Sequence, residues 1–570
     1  MSQLRGRGTT TGPRPHHAHE RDRSTGTLNR LAAGIVAVVI LGQVTAGAQS
    51  TDATCDGPHV STTAGTVCGA LVSTDATGPG TVAAFLGIPY GESTAGPNRF
   101  LAPVARAPWD GVLAALEPGP ACPQTLTSLT EAPEGQSEDC LSLNVWAPAE
   151  PGEAPAPVLV FVHGGGFLVG TATDALASED VDWFNIDGRF LAAEQSLVVV
   201  TMNYRLAAFG FLAGVAGLEG NQGLLDQQLA LRWVRDNIAA FGGDPDNVTL
   251  MGESAGGTSV ATHVYGMPSS SGLFQRAIIE SNPAGVGVQT WSEARAQGER
   301  YLLRVGCFFS LDRLGCLQEK PLTDLQAAQT PVVDLLTLLD RGTFALLAWL
   351  PAVDGSIVTE QPLIAAIEGR TEVPVIWGNN DDEAFSFLGQ FVTPDINPYV
   401  GGAVLDVLFR KNVGDVIRRE YVDGASDQPT ALLDGAGDYV FMCPAELAAA
   451  NAPVGYHFRF SHPPQYVGGL TGGDTCGDRT CHAVELPYVF GTGRFPGGFA
   501  EADARVSADA MALWSAFARG EGDGGRGLAA WPQADPSDGR LPTMVITDPP
   551  TVAPFDLTRC EHWVEVYESR

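Results

Sequence analysis

Short runs dominated by apolar residues punctuate the chain at Val158–Val162, Leu197–Met202, Val248–Met251, Ala277–Glu280 and Val373–Trp377. They are rich in β-branched residues, the pattern of strands buried on both faces. Val82 to Pro89 reads as a strand and turn, and Ser137–Trp146 ends in the apolar/polar alternation of a half-buried strand. Between the second and third runs, Asn221–Asp226 opens a helix with Leu225, Leu229, Trp233 and Ile238 on one face. Phe241-Gly-Gly-Asp-Pro245 closes it with a glycine stop and a proline. The order is strand, glycine loop, strand, helix, strand, tight turn, helix. That alternation predicts the α/β class with a mainly parallel sheet. In such sheets ligands bind beyond the carboxyl ends of the strands. A length of 570 residues alone suggests about three or four domains. No internal repeat or long Ser/Pro linker divides the chain, so one large domain over 49–570 is expected.

Two loops sit at strand ends and carry candidate chemistry. Gly252-Glu253-Ser254-Ala255-Gly256 fits G-x-S-x-G between a strand and small residues able to open a helix. That is the setting of a nucleophile elbow, whose tight turn leaves no room for a Cβ beside the serine. The five-residue pattern alone also fits an ordinary serine turn in a chain with 68 glycines. The second loop is His163-Gly-Gly-Gly-Phe167, after Val158–Val162. Its glycines leave backbone N–H groups free to converge on one spot, as an oxyanion hole requires.

A nucleophilic serine needs a general base, and histidine suits neutral pH. His16, His17 and His19 belong to the N-terminal leader; His59, His163, His263, His457 and His562 read as structural. His462 and His482 lie in loops after the last strands, and His482 is followed by the apolar segment Ala483–Gly491, which would anchor its loop. In the order Ser…Asp/Glu…His, the acid falls between them. Gly378-Asn-Asn-Asp-Asp-Glu383 places Asp381, Asp382 and Glu383 past a strand end, and spacing does not choose among the three.

Composition narrows the setting. The chain carries 65 acidic and 33 basic residues, a net charge of −32. That argues against nucleic acid and anionic membranes as partners. The leader combines Arg5, Arg7, Arg14, Arg21, Arg23 and Arg30 with an apolar stretch, Leu31–Val44, and Ala46-Gly-Ala48. This reads as a signal peptide over 1–48 cut after Ala48, with an uncleaved membrane anchor as the alternative. Ten cysteines without a C-x-x-C then point to disulfides rather than zinc or redox chemistry.

Together, Ser137-Glu-Asp-Cys-Leu-Ser-Leu-Asn144, His163-Gly-Gly-Gly-Phe167, Asn221-Gln-Gly-Leu-Leu-Asp226, Phe241-Gly-Gly-Asp-Pro-Asp-Asn-Val248 and Gly252-Glu-Ser-Ala-Gly-Gly257 resemble the type-B carboxylesterase and cholinesterase family of α/β hydrolases. The resemblance runs from about Val82 to Trp563. It implies the α/β-hydrolase fold, with Ser254 as nucleophile, His482 as base and Glu383 as the acid that orients it. It further implies the N–H groups of Gly165, Gly166 and Ala255 as oxyanion donors, and supporting places for Glu253 and Ser281. Disulfides Cys122–Cys140, Cys307–Cys316 and Cys443–Cys560 follow from it, which leaves Cys55–Cys68 and Cys476–Cys481 as further pairs. Ala384 departs from the glycine that commonly follows the acid in this family.

The expectation is a secreted serine carboxylic-ester hydrolase acting on small-molecule esters through an acyl-enzyme, without metal or organic cofactor. The 17 residues between Cys122 and Cys140 include no aromatic. That argues against the cation–π recognition of choline esters seen in the cholinesterases. The loop is also short for a lipase lid, so short to medium acyl chains are expected. A lipase, a hydrolase of amide, carbamate or polyester bonds, and a non-catalytic binding protein of the same fold are the competing readings.

Overall fold

The computed structural model describes residues 55–569 apart from 75–79, 126–134, 151, 174–185, 330–348, 390–410, 466–477, 495–498, 522–527, 529 and 537. The expected leader, 1–48, and its expected cleavage point lie outside the described residues. Everything described belongs to one compact unit, Gln49–Arg570.

Among the described residues, its centre is an eleven-stranded mixed sheet. In chain order the strands are β1 (Ala70–Ser73), β2 (Thr81–Pro89), β3 (Ser142–Pro148), β4 (Ala156–Val162), β5 (Val198–Met202) and β6 (Gly243–Glu253). They continue with β7 (Arg276–Glu280), β8 (Val375–Asn380), β9 (Gly455–Phe460), β10 (Arg540–Ile546) and β11 (Thr551–Asp556). Across the sheet the order is β1-β2-β3-β5-β4-β6-β7-β8-β9-β10-β11. The strands from β5 through β10 run parallel, and the antiparallel pairs lie toward the two edges. This is the α/β-hydrolase architecture, as expected.

The continuous apolar runs have a simple cause. Val158, Val160 and Val162 of β4 enter one hydrophobic core, while Leu159 and Phe161 enter a second. With no solvent face, such a strand favours apolar residues at successive positions.

The chain leaves β4 for its neighbour β5, then crosses back to place β6 on the other side of β4. From β6 it moves outward to β7 and β8. Connections that depart in opposite directions from adjacent strands leave a crevice at their carboxyl ends. The glycine loop follows β4 and Ser254 follows β6.

The helix after β5 differs in facing from expectation. Helix α1 (Gln222–Asn237) buries Leu224, Leu231 and Val234, while Leu225 and Leu229 are only half-buried. The reason is polar. Asp226 turns inward to accept from Arg205 Nε at 2.8 Å and Nη2 at 2.7 Å, and Gln227 turns inward to donate to Ser259 Oγ at 3.0 Å. Partners waiting inside let these residues occupy the buried face, which rotates two leucines toward its rim. Gly242, at φ +83°, ends the following turn as the sequence suggests.

Four expected disulfides are formed: Cys55–Cys68, Cys122–Cys140, Cys307–Cys316 and Cys443–Cys560. Cys481 is disulfide-bonded as well. Its expected partner, Cys476, lies outside the described residues. Among the described residues, no helix is long and apolar enough to cross a membrane.

Candidate active site

Ser254 stands between β6 and helix α2 (Ala255–Ala261) with φ 57° and ψ −119°. A non-glycine residue in that conformation costs on the order of 1–3 kcal/mol and persists only where its surroundings hold it. Here its N–H donates to Glu280 O at 3.0 Å, and its carbonyl accepts from Thr258 N at 2.9 Å. The flanking glycines are a matter of space. A Cβ on Gly256 would lie 1.9 Å from the Val162 carbonyl oxygen, and one on Gly252 would lie 2.5 Å from Gly256.

The glycine loop packs directly against this elbow. A Cβ on Gly164 would meet Glu253 Oε2 at 2.6 Å and Ser254 Cβ at 3.1 Å. Gly165 and Gly166 adopt φ 92° and 62°, the left-handed region that orients successive N–H groups. Ala255 is the first residue of α2, so its N–H has no partner within the helix. The loop is buttressed from below. Tyr204 donates its hydroxyl to His163 O at 2.9 Å and stacks on the His163 ring at 4.4 Å. Gln124 clamps the far end, accepting from Gly170 N at 3.0 Å and donating to Gly170 O at 3.1 Å. Burial lowers the His163 pKa to about 4, so this histidine is neutral and structural.

The three carboxylates after β8 are sorted by their contacts. Asp381 pairs with Arg459 at 2.6 Å. Asp382 accepts from Thr480 N at 3.1 Å and Arg479 Nη1 at 2.9 Å, which ties it to the histidine loop. Glu383 reaches the imidazole itself: its Oε2 lies 2.5 Å from His482 Nδ1, and its Oε1 accepts from Asn380 N at 2.8 Å. Both residues are buried, and the rings of Phe387 and Phe441 close over His482 at 4.9 and 5.3 Å. His462, the other loop histidine, is instead held by Asp503 at 2.8 Å.

The second imidazole nitrogen, Nε2, makes no hydrogen bond and lies 3.1 Å from Glu253 Oε1. The hydrogen bond expected from Ser254 is therefore absent from this resting geometry, a contact that commonly tightens only with substrate present. Burial acts to lower the His482 pKa, but Glu253 and Glu383, the Glu383 hydrogen bond and Glu485 push it up to about 9. Burial holds the Glu253 carboxyl well above the ordinary carboxylate range despite His482, and Glu485 and Glu383 add to that. These two effects compete, because a Glu253 that keeps its proton lends the imidazole no charge. The secure part of the lift comes from Glu383, which is hydrogen-bonded to the ring.

Sequence reasoning missed a buried polar layer behind these residues. Glu280 accepts from Trp514 Nε1, on helix α3 (Glu501–Arg519), and Glu485 Oε2 accepts from Asn380 Nδ2 at 2.5 Å. Ser281, a suspected supporting residue, sits buried at the end of β7 with φ 47°; its N–H donates to Gly378 O at 2.8 Å and its Oγ has no partner. A glutamate three residues after His482 was the available signal for Glu485. Nothing in an apolar strand marked Glu280.

Among the described residues, the close grouping of metal-type ligand atoms is Cys443, Glu446 and Cys560. Its two sulfurs are joined in a disulfide and offer no thiolate.

A family model for the Carboxylesterase family matches residues 56–563. The acylcarnitine hydrolase of Mus musculus is 32% identical over 544 residues, covering 89% of this chain and 90% of that protein. The para-nitrobenzyl esterase of Bacillus subtilis (strain 168) is 37% identical over 421 residues, 71% of this chain and 78% of that one. A solved PNB esterase structure superimposes with a TM-score of 0.70 at 32% identity, covering 87% of this chain and 97% of its own. With the strand order, the elbow and the glycine loop already in agreement, this chain belongs to the type-B carboxylesterase family and is a carboxylic-ester hydrolase.

Proposed function

We propose that the protein is a secreted esterase that cleaves small-molecule esters through an acyl-enzyme on Ser254. The observation that carries this reading is the buried His482–Glu383 hydrogen bond of 2.5 Å, with the imidazole Nε2 3.1 Å from Glu253, the residue before the strained elbow serine. His482 Nε2 takes the Ser254 proton as Oγ attacks the ester carbonyl, and returns it to the leaving alcohol. Glu383 fixes the proton on Nδ1 and balances the imidazolium. The N–H groups of Gly165, Gly166 and Ala255 receive the oxyanion, where loss of one donor typically costs about 10²–10³ in turnover. Water then enters by the same path and releases the acid. These steps call on no metal or organic cofactor.

Short to medium acyl chains fit the short Cys122–Cys140 loop, which spans 18 positions. Two relatives are named for an acylcarnitine and a para-nitrobenzyl ester, both small-molecule esters, and we extend that substrate class to this chain. Export fits the disulfides, which persist in oxidising compartments.

Hydrolysis of p-nitrophenyl esters of increasing acyl length, with Ser254→Ala as control, tests the reading. Activity that peaks at short to medium chains and vanishes in the variant supports it. A preference for long chains contradicts the acyl assignment, and activity that survives in Ser254→Ala contradicts the nucleophile.

A further inference from the structure

Glu253 and Glu280 are in-register neighbours at the carboxyl ends of β6 and β7. Paired residues of adjacent parallel strands point to the same face, here the face covered by α3, whose Trp514 donates to Glu280. Both carboxyls are buried, at 2% and 0% exposure. Glu253 Oε1 and Glu280 Oε2 each lack a hydrogen-bond partner, as does Glu485 Oε1 beside them. Two adjacent buried carboxylates cannot both ionise without a cation between them.

The surrounding charges offer little relief. Those acting on Glu253 are His482, Glu485 and Glu383, and those acting on Glu280 are Glu485 and Glu253. Tyr204 also faces Glu253, which helps hold that phenol protonated, and His163 is neutral. Among the described residues, the one basic group acting on the pair is His482, as the imidazolium it can become.

We propose that Glu253 and Glu280 share a proton in the resting enzyme, and that Glu280 is a positioning residue governing, through Glu253, the protonation of His482. The inference rests on the reading of His482 as the base. With the proton on Glu253, its carboxyl beside Nε2 is neutral and the imidazole loses its proton more readily. With the proton on Glu280, Glu253 becomes an anion 3.1 Å from Nε2 and stabilises the imidazolium. The Trp514 hydrogen bond favours ionised Glu280 and so biases the proton toward Glu253.

The signs follow. Glu280→Gln removes the competing charge, frees Glu253 to ionise and raises the His482 pKa. Glu253→Gln removes only the minor share of negative charge left on Glu253 and lowers it slightly. Because Glu280 acts through Glu253, the double variant behaves as Glu253→Gln. Trp514→Phe leaves the proton on Glu280 and shifts His482 in the same direction as Glu280→Gln, which provides a second variant should Glu280→Gln fail to fold.

The experiment is NMR titration of ¹³C-labelled histidine, with the His482 resonance assigned by its loss in His482→Gln, alongside the pH dependence of kcat/KM for p-nitrophenyl acetate. Expected is an upward shift on the order of one pH unit in Glu280→Gln, a much smaller downward shift in Glu253→Gln, and a double variant matching the latter. A His482 pKa unmoved or lowered in Glu280→Gln overturns the inference. The NMR reading does not need turnover, so a failure of the serine-esterase mechanism would appear separately, as hydrolysis untouched in Ser254→Ala.

Discussion

His482 Nδ1 lies 2.5 Å from Glu383 Oε2, a hydrogen bond between residues 99 positions apart in the chain. Glu383 is delivered by the end of β8 and His482 by a separate loop, and Asp382 knits the two segments together through Thr480 and Arg479. In the proposed mechanism this contact fixes which imidazole nitrogen carries the proton, and so which one serves as the base.

Replacing Glu383 with Gln keeps the size of the side chain and removes its charge. The amide cannot hold the imidazole in the same tautomer or balance the imidazolium. We expect kcat to fall by on the order of 10³–10⁴ with little change in KM, read from steady-state hydrolysis of p-nitrophenyl acetate. Retention of wild-type kcat would remove Glu383 from the mechanism.

The pH profile follows from the sign of the His482 shift. As the proposed base His482 must be neutral, and although burial lowers its pKa, Glu253, Glu383 and Glu485 push it up to about 9. Activity is therefore lost as pH falls through that raised pKa and still climbs above pH 7. A kcat/KM profile flat from pH 5 to pH 8 would contradict His482 as the base.

Asp382 and Asp381 separate positioning from proximity. Asp382→Ala releases the His482 loop from Thr480 and Arg479, and we expect kcat to drop by about tenfold or more, since small misplacements of catalytic groups are costly. Asp381→Ala breaks only the pair with Arg459, so turnover should stay near wild type. Equal losses in the two variants would argue for a general effect of charge.

Below the site, the Arg205–Asp226 pair is almost fully enclosed, with side-chain exposures of 2% and 0%. Asp226→Asn leaves a buried guanidinium without its counter-charge, which should destabilise the fold by about 3–5 kcal/mol. Urea unfolding measures it. A loss below about 1 kcal/mol would place the pair among weak, solvent-screened bridges.

The parallel strands were legible because burial on both faces leaves a continuous apolar run, as in β4 and β5. The elbow and the glycine loop were legible because only glycine clears the Val162 carbonyl and the Ser254 side chain. The choice of Glu383 over its two neighbours came from family resemblance, since the separating contacts to Arg459, Thr480 and His482 join distant segments. The facing of α1 was misread because Asp226 and Gln227 find polar partners inside. Glu280 was invisible for a related reason. A buried carboxyl is tolerated there through Trp514, more than two hundred positions away, and periodicity carries no record of such a partner.

The nucleophile is the central claim, and covalent labelling tests it most directly. The protein is treated with a fluorophosphonate, digested, and its peptides are mapped by mass spectrometry. The mechanism requires one adduct, on Ser254, formed in step with loss of esterase activity and abolished in Ser254→Ala. An adduct on another residue, or full hydrolysis by a protein that takes no label, would contradict it.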